Sequence, residues 1–135
     1  MKTFYLFKIN DLFLTKYENK SLSTYKILKN IYNNYNEDLF FKFLNKLNKE
    51  KIDINIYLNH RNEFYYYNNN NKHIIDNAYE YVKMEVFDYC IIMKTNKDNN
   101  TFLNDLNILN ENLFLVDFEN NNYFWVKDKK ICYNY

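Results

Sequence analysis

With 135 residues, 47% hydrophobic and 21% aromatic, the chain is long enough to bury a core and too apolar to be disordered. Its 18 basic and 17 acidic side chains are interspersed and leave a formal net charge of +1, which argues against a general electrostatic grip on nucleic acid or anionic lipid. It contains no glycine and no proline, which excludes P-loops and dinucleotide-binding turns, where backbone without a Cβ must lie against phosphate.

In chain order, residues 2–9 are apolar, aromatic and of strand length, and read as a buried first strand. Asn10 or Asp11 then caps a short helical turn that sets Phe13 and Tyr17 on one face. Ser21 is the candidate N-cap of a helix carrying Leu22, Tyr25, Leu28, Ile31 and Tyr32 at helical spacing. A second helix opens at Asn36, with Glu37 and Asp38 in its first turn. Leu39, Phe40, Phe43, Leu44 and Leu47 form its stripe, and Lys46 and Lys49 lie near its end, a charge order that suits the helix dipole.

Beyond it, the alternation of Ile52, Ile54, Ile56 and Leu58 reads as a strand, returning through Asn59 to Asn62 into a second strand at 61–67. Val82, Met84 and Val86 alternate in a third, and 88–94 gives a fourth. Phe102, Leu103, Leu106 and Leu109 mark a helix. The segment 113–128 closes the chain as a hairpin, with Asn120 to Asn122 at the turn and Phe118 and Trp125 in the core.

The expected fold is α+β: a single compact domain over 1–135, with a largely antiparallel sheet, about three helices and a C-terminal β-hairpin. The asparagine runs at 68–71 and 120–122 match an A/T-rich codon composition, which needs no functional low-complexity tract. They have a structural consequence, however. Without glycine, positive-φ turn positions fall to Asn or Asp.

Few residues suggest chemistry. His60 and His73 have no partner at metal-ligand spacing and read as surface imidazoles. Cys90 sits in an apolar run and reads as a packing residue, and both Cys90 and Cys132 are expected reduced. No nucleophile–base pair stands out, so no enzyme, cofactor or metal is expected. No segment reaches the roughly 18 apolar residues of a membrane span. Lys8, Asn10 and Asp11 break the apolar N-terminus before it can read as a secretion signal, so the protein is expected in the cytoplasm.

Two surfaces remain. The tyrosine-rich strand 64–67 suggests stacking on nucleic-acid bases, against the simpler reading of a strand edge with exposed tyrosines. Leu12, Phe13, Leu14 and Tyr17 exceed what one helical stripe can bury, so part of that apolar surface should face outward and meet a partner.

The stretches "YLFK", "LFLTKYENKSLSTYKIL" and "FLNDLNILNENLFLVDFENNNYFWVKD" resemble the bacterial sporulation inhibitor of replication (SirA) family. The matching features are Tyr5 to Lys8, Phe13 and Tyr17, and Asp117, Phe118, Tyr123 and Trp125, from the two ends of the chain. The middle, about 35 to 95, is similar only in length and general pattern. Glu18-Asn19 and Phe124 stand where the family has glycine.

The resemblance implies a non-catalytic inhibitor that binds the N-terminal domain of the replication initiator DnaA during sporulation. Phe13 and Tyr17 would be the anchors, with Lys16 at the rim. It implies no direct contact with nucleic acid or membrane. The alternatives are a small nucleic-acid-binding module using 64–67, or an interaction domain with an unrelated partner.

Overall fold

The computed structural model describes residues 1–11, 13, 20–34, 37–109 and 112–128. Its strands are β1 (Lys2–Lys8), β2 (Tyr66–Asn69), β3 (Lys72–Asp76), β4 (Tyr81–Val86), β5 (Ile91–Thr95), β6 (Leu113–Asp117) and β7 (Asn122–Trp125). They form one seven-stranded sheet in the order β2-β3-β4-β5-β1-β6-β7, with every neighbouring pair antiparallel. The helices among the described residues are α1 (Ser21–Asn33), α2 (Glu37–Phe43), α3 (Lys49–His60) and α4 (Thr101–Leu109), followed by a 3-10 turn at Val126–Asp128. The fold is α+β with a C-terminal hairpin, as expected, with four helices among the described residues where about three were expected.

The extra helix corrects the reading of 52–58 as a strand. Asn48 caps α3 by accepting a hydrogen bond from the Lys51 backbone N–H at 3.2 Å. The residues this helix buries are Ile52, Ile56 and His60, spaced four apart on one face. Ile54 and Leu58, which made the pattern look two-fold, are left exposed. The strand after it is shorter than expected, and its partner is β3, in a stretch not read as a strand. The asparagine run between them is the hairpin turn.

Burial alternates along the strands, so the sheet has two cores. One face, under α3 and α4, holds Phe4, Leu6, Ile75, Val82, Met84, Ile91, Met93 and Leu115 together with Ile52, Ile56, Phe102 and Leu106. The other, under α1 and α2, holds Phe7, Phe114, Val116 and Trp125 together with Tyr25, Leu28, Ile31 and Phe43. Burying each such side chain stabilises the fold by about 1.5–3 kcal/mol. Phe124 packs partly buried against the first core while its neighbour Trp125 enters the second.

Positive backbone φ occurs among the described residues at Asn70 (54°), Asn112 (52°) and Asn121 (52°), all asparagines, as a glycine-free chain requires. Asn121 lies in the expected turn of the closing hairpin, where the buried Asp117 carboxylate accepts from the Asn120 backbone N–H at 3.2 Å and its side-chain amide at 2.7 Å. Trp125 is core, as expected, whereas Phe118 is only half-buried and packs at the edge. Helix α1 starts at Ser21 itself, with Lys20 at the cap position and no side-chain cap bond. Helix α2 ends at Phe43, so Lys46 and Lys49 fall beyond it.

Candidate protein-interaction surface

Phe13 lies a few residues beyond the end of β1, an interior strand of the sheet. After β1 the chain bridges to the end of α2: Ile9 pairs with Leu44, and the backbone N–H of Asn10 donates to Phe43 O at 2.8 Å. The Asn45 N–H returns a bond to Lys8 O at 2.8 Å. Phe13 N–H then donates to Asn10 O at 2.8 Å, closing a tight turn. The Phe13 ring is half-buried and rests on Phe43, with centroids 5.6 Å apart. Phe43 itself is core, so the segment bearing Phe13 is fixed to the core by one aromatic contact and two backbone bonds to α2 and its exit.

Helix α2 adds aromatic surface that the sequence reading missed. Phe40, Phe41 and Tyr89 meet edge-on in a triangle with centroids 5.0–5.6 Å apart. Phe41 is 49% exposed, and Phe87 near Tyr89 is also exposed. The clue lay in "DLFFKF": a helix can turn only one of the adjacent Phe40 and Phe41 toward the core. Of the sequence-derived contact residues, Phe13 rests on Phe43 at the edge of the second core, while Lys16 and Tyr17 lie outside the described residues.

The histidines correct a second expectation. Neither is on the surface: His60 is 5% exposed and His73 is fully buried. His60 Nε2 lies 2.5 Å from Asp105 Oδ2 and its Nδ1 lies 2.8 Å from Glu63 Oε2. Burial alone would lower its pKa, but Asp105 and then Glu63 outweigh it and raise it above the ordinary value, favouring the imidazolium.

His73 Nε2 lies 2.7 Å from Asp53 Oδ1, while its Nδ1 faces the Tyr66 hydroxyl at 2.7 Å and the Asn68 amide at 3.2 Å. Burial pushes the Tyr66 phenol up to about 12, so it remains a donor. With two donors on Nδ1, the consistent assignment is a neutral ring that donates from Nε2 to Asp53. Burial lowers the His73 pKa, and neighbouring His60 adds to that, against the opposing pull of Asp53.

These nitrogens are spent on packing contacts between α3, α4, β2 and β3, with no ring edge left for a substrate. No group of three or more His, Cys, Asp or Glu suited to a metal ion occurs among the described residues. Cys90 is a free thiol that burial pushes up to about 11, which keeps it protonated and a poor nucleophile. Among the described residues, no helix is long and apolar enough to cross a membrane.

Comparison with protein-family models and with curated proteins finds no match to this chain.

Proposed function

We propose that this protein is a non-catalytic, cytoplasmic inhibitor of replication initiation, binding the N-terminal domain of DnaA through the surface around Phe13. Phe13 and Tyr17 are the apolar anchors and Lys16 contributes at the rim. Phe41, exposed on α2, is a further candidate anchor. The observation that carries this reading is the aromatic arrangement itself: a half-exposed Phe13 tied to the core through Phe43, on a helix that also leaves Phe41 to solvent. Rigidly held aromatics of this kind are the usual energetic anchors of a protein interface.

A second support is structural coherence of the resemblance. The residues that carry it come from opposite ends of the chain and lie together in the fold. β1 pairs with β6, and the Tyr5 ring lies 5.5 Å from that of Phe118. Tyr25 stacks on Tyr123 at 4.5 Å and donates from its hydroxyl to Asn121 Oδ1 at 2.8 Å. The more divergent middle supplies α2, α3 and β2 to β5, of which β5 pairs directly with β1.

The alternative of base stacking by 64–67 draws less support. Tyr66 faces inward to His73, and Phe64 and Tyr67 are the exposed aromatics left there. Amide-resonance mapping separates the two readings. Titration with the DnaA N-terminal domain should shift Asn10, Asp11, Phe13 and Phe41 and spare Phe64 to Tyr67. The opposite map, or no shifts, counts against the proposal.

A further inference from the structure

The sheet face under α1 and α2 is only half covered. Those helices lie over β1, β6 and β7, whose inward residues make the second core. Over β3, β4 and β5 the buried side chains all point to the other face. By strand alternation the uncovered side carries Lys72, Tyr81, Lys83, Glu85, Ile92 and Lys94.

Where this platform meets α1 there is a groove of about 670 Å³, within the roughly 300–1,000 Å³ of small-ligand sites. Its wall is aromatic. Tyr32 and Phe118 stack with centroids 4.3 Å apart at 12°, and Tyr5 lies 5.6 Å and 5.5 Å from them. Tyr32 is 55% exposed, so this stack ends in an accessible ring rather than in the core.

The charge pattern is unusual for a surface selected only for stability. Lys83 and Lys94 are directly opposite on neighbouring strands, where like charges disfavour pairing. Lys83 is balanced by Glu85 at 3.4 Å, on which Lys72 also converges at 4.0 Å. Lys94, whose other cross-strand neighbour is Thr3, has no ion pair among the described residues. Lys29 of α1 also lines the groove, its ammonium 5.8 Å from the Tyr25 ring centroid, and Glu119 lines it beside Glu85. The lysines are far apart in sequence, which is why the chain shows no basic run. The fold gathers them beside the aromatic wall.

We propose that this groove binds a planar aromatic ring bearing a phosphate, the chemistry of a nucleotide. The ring stacks on Tyr32, and Lys94 and Lys29 attract the phosphate. Aromatic stacking and ammonium–phosphate attraction are each tolerant of ligand detail, so the site selects this combination rather than one base. The same chemistry is presented by a free mononucleotide and by one residue of a single strand. The site is separate from the Phe13 surface and does not rest on the DnaA reading.

The test is an amide-resonance titration of the full chain with adenosine 5′-monophosphate, adenosine, ribose 5-phosphate and a short oligouridylate. The monophosphate should shift Thr3, Tyr32 and Lys94 saturably, and adenosine and ribose 5-phosphate should each bind about tenfold more weakly or worse. Lys94→Glu and Tyr32→Ala, both at exposed positions and checked by circular dichroism, should each weaken the response by about tenfold. Lys29→Glu provides a third variant should either of these unfold. A response to oligouridylate without one to the monophosphate assigns the site to single-stranded nucleic acid. No saturable shift from either ligand at millimolar concentration overturns the proposal. So does a response that the folded variants leave unchanged.

Discussion

His73 Nε2 sits 2.7 Å from Asp53 Oδ1, so the β2–β3 hairpin is latched to α3 through a fully buried imidazole. The ring lies among Asp53 and His60 of α3 and Tyr66 and Asn68 of β2, with Phe102 of α4 edge-on to it. Its folded pKa is below the ordinary 6.5, so the unfolded chain takes up a proton first as pH falls. The His73 contribution to stability is therefore full above 6.5 and is lost as pH drops through the folded value. Asp53→Asn removes the group that favours the charged ring, so acid destabilisation should steepen. Urea unfolding of both proteins from pH 7 to pH 5 reads this directly.

His60 has the opposite sign. Asp105 and Glu63 raise its folded pKa above 6.5, so its contribution is full below 6.5 and is lost as pH rises through the folded value. The wild type should thus be most stable near neutrality and weaken on both sides. Asp105→Asn should destabilise by about 2 kcal/mol at pH 6, the usual worth of a hydrogen bond to a charged group. It should also flatten the decline on the alkaline side. A decline that remains unchanged in that variant would show that another group titrates there.

The turns test the role of asparagine in a chain without glycine. Asn70 and Asn121 have nearly the same positive φ, but only Asn121 also accepts a hydrogen bond from Tyr25. Asn70→Gly should leave stability unchanged or raise it, and Asn70→Ala should lower it by about 1 kcal/mol. Asn121→Gly should fall below Asn70→Gly by about 1 kcal/mol, the net worth of the lost hydrogen bond.

The segment 52–58 shows where sequence patterning misleads. As a strand, Ile52 and Ile54 would share a face and respond alike to substitution. In α3, Ile52 is fully buried and Ile54 is 57% exposed. Ile52→Ala should cost about 2–5 kcal/mol, and Ile54→Ala no more than about 0.5 kcal/mol. Thermal melts of the two variants suffice.

Much of the fold was legible because apolar periodicity and turn chemistry agreed. In β4, Val82, Met84 and Val86 all face the core, and Asn121 makes the closing turn. The α3 error came from isoleucines that obey a two-residue period while the decisive spacing, Ile52–Ile56–His60, ends in a histidine that is not apolar. Both histidines were misread for a related reason. Their carboxylate partners Asp53 and Asp105 are brought to them by tertiary packing, and Asp105 is 45 residues from His60. In the candidate surface, Phe13 was legible as surplus apolar area. Phe41 was not singled out, because its exposure depends on which side of α2 faces the sheet.

The most direct measurement is calorimetric titration of this protein with the N-terminal domain of DnaA from the organism that encodes it. Phe13→Ala and Phe41→Ala are run beside the wild type, each checked for folding by circular dichroism. The expected result is micromolar or tighter binding that weakens by about tenfold, ~1.4 kcal/mol, in each folded variant. A wild-type protein that gives no heat, and does not compete in a fluorescence assay, would contradict the account.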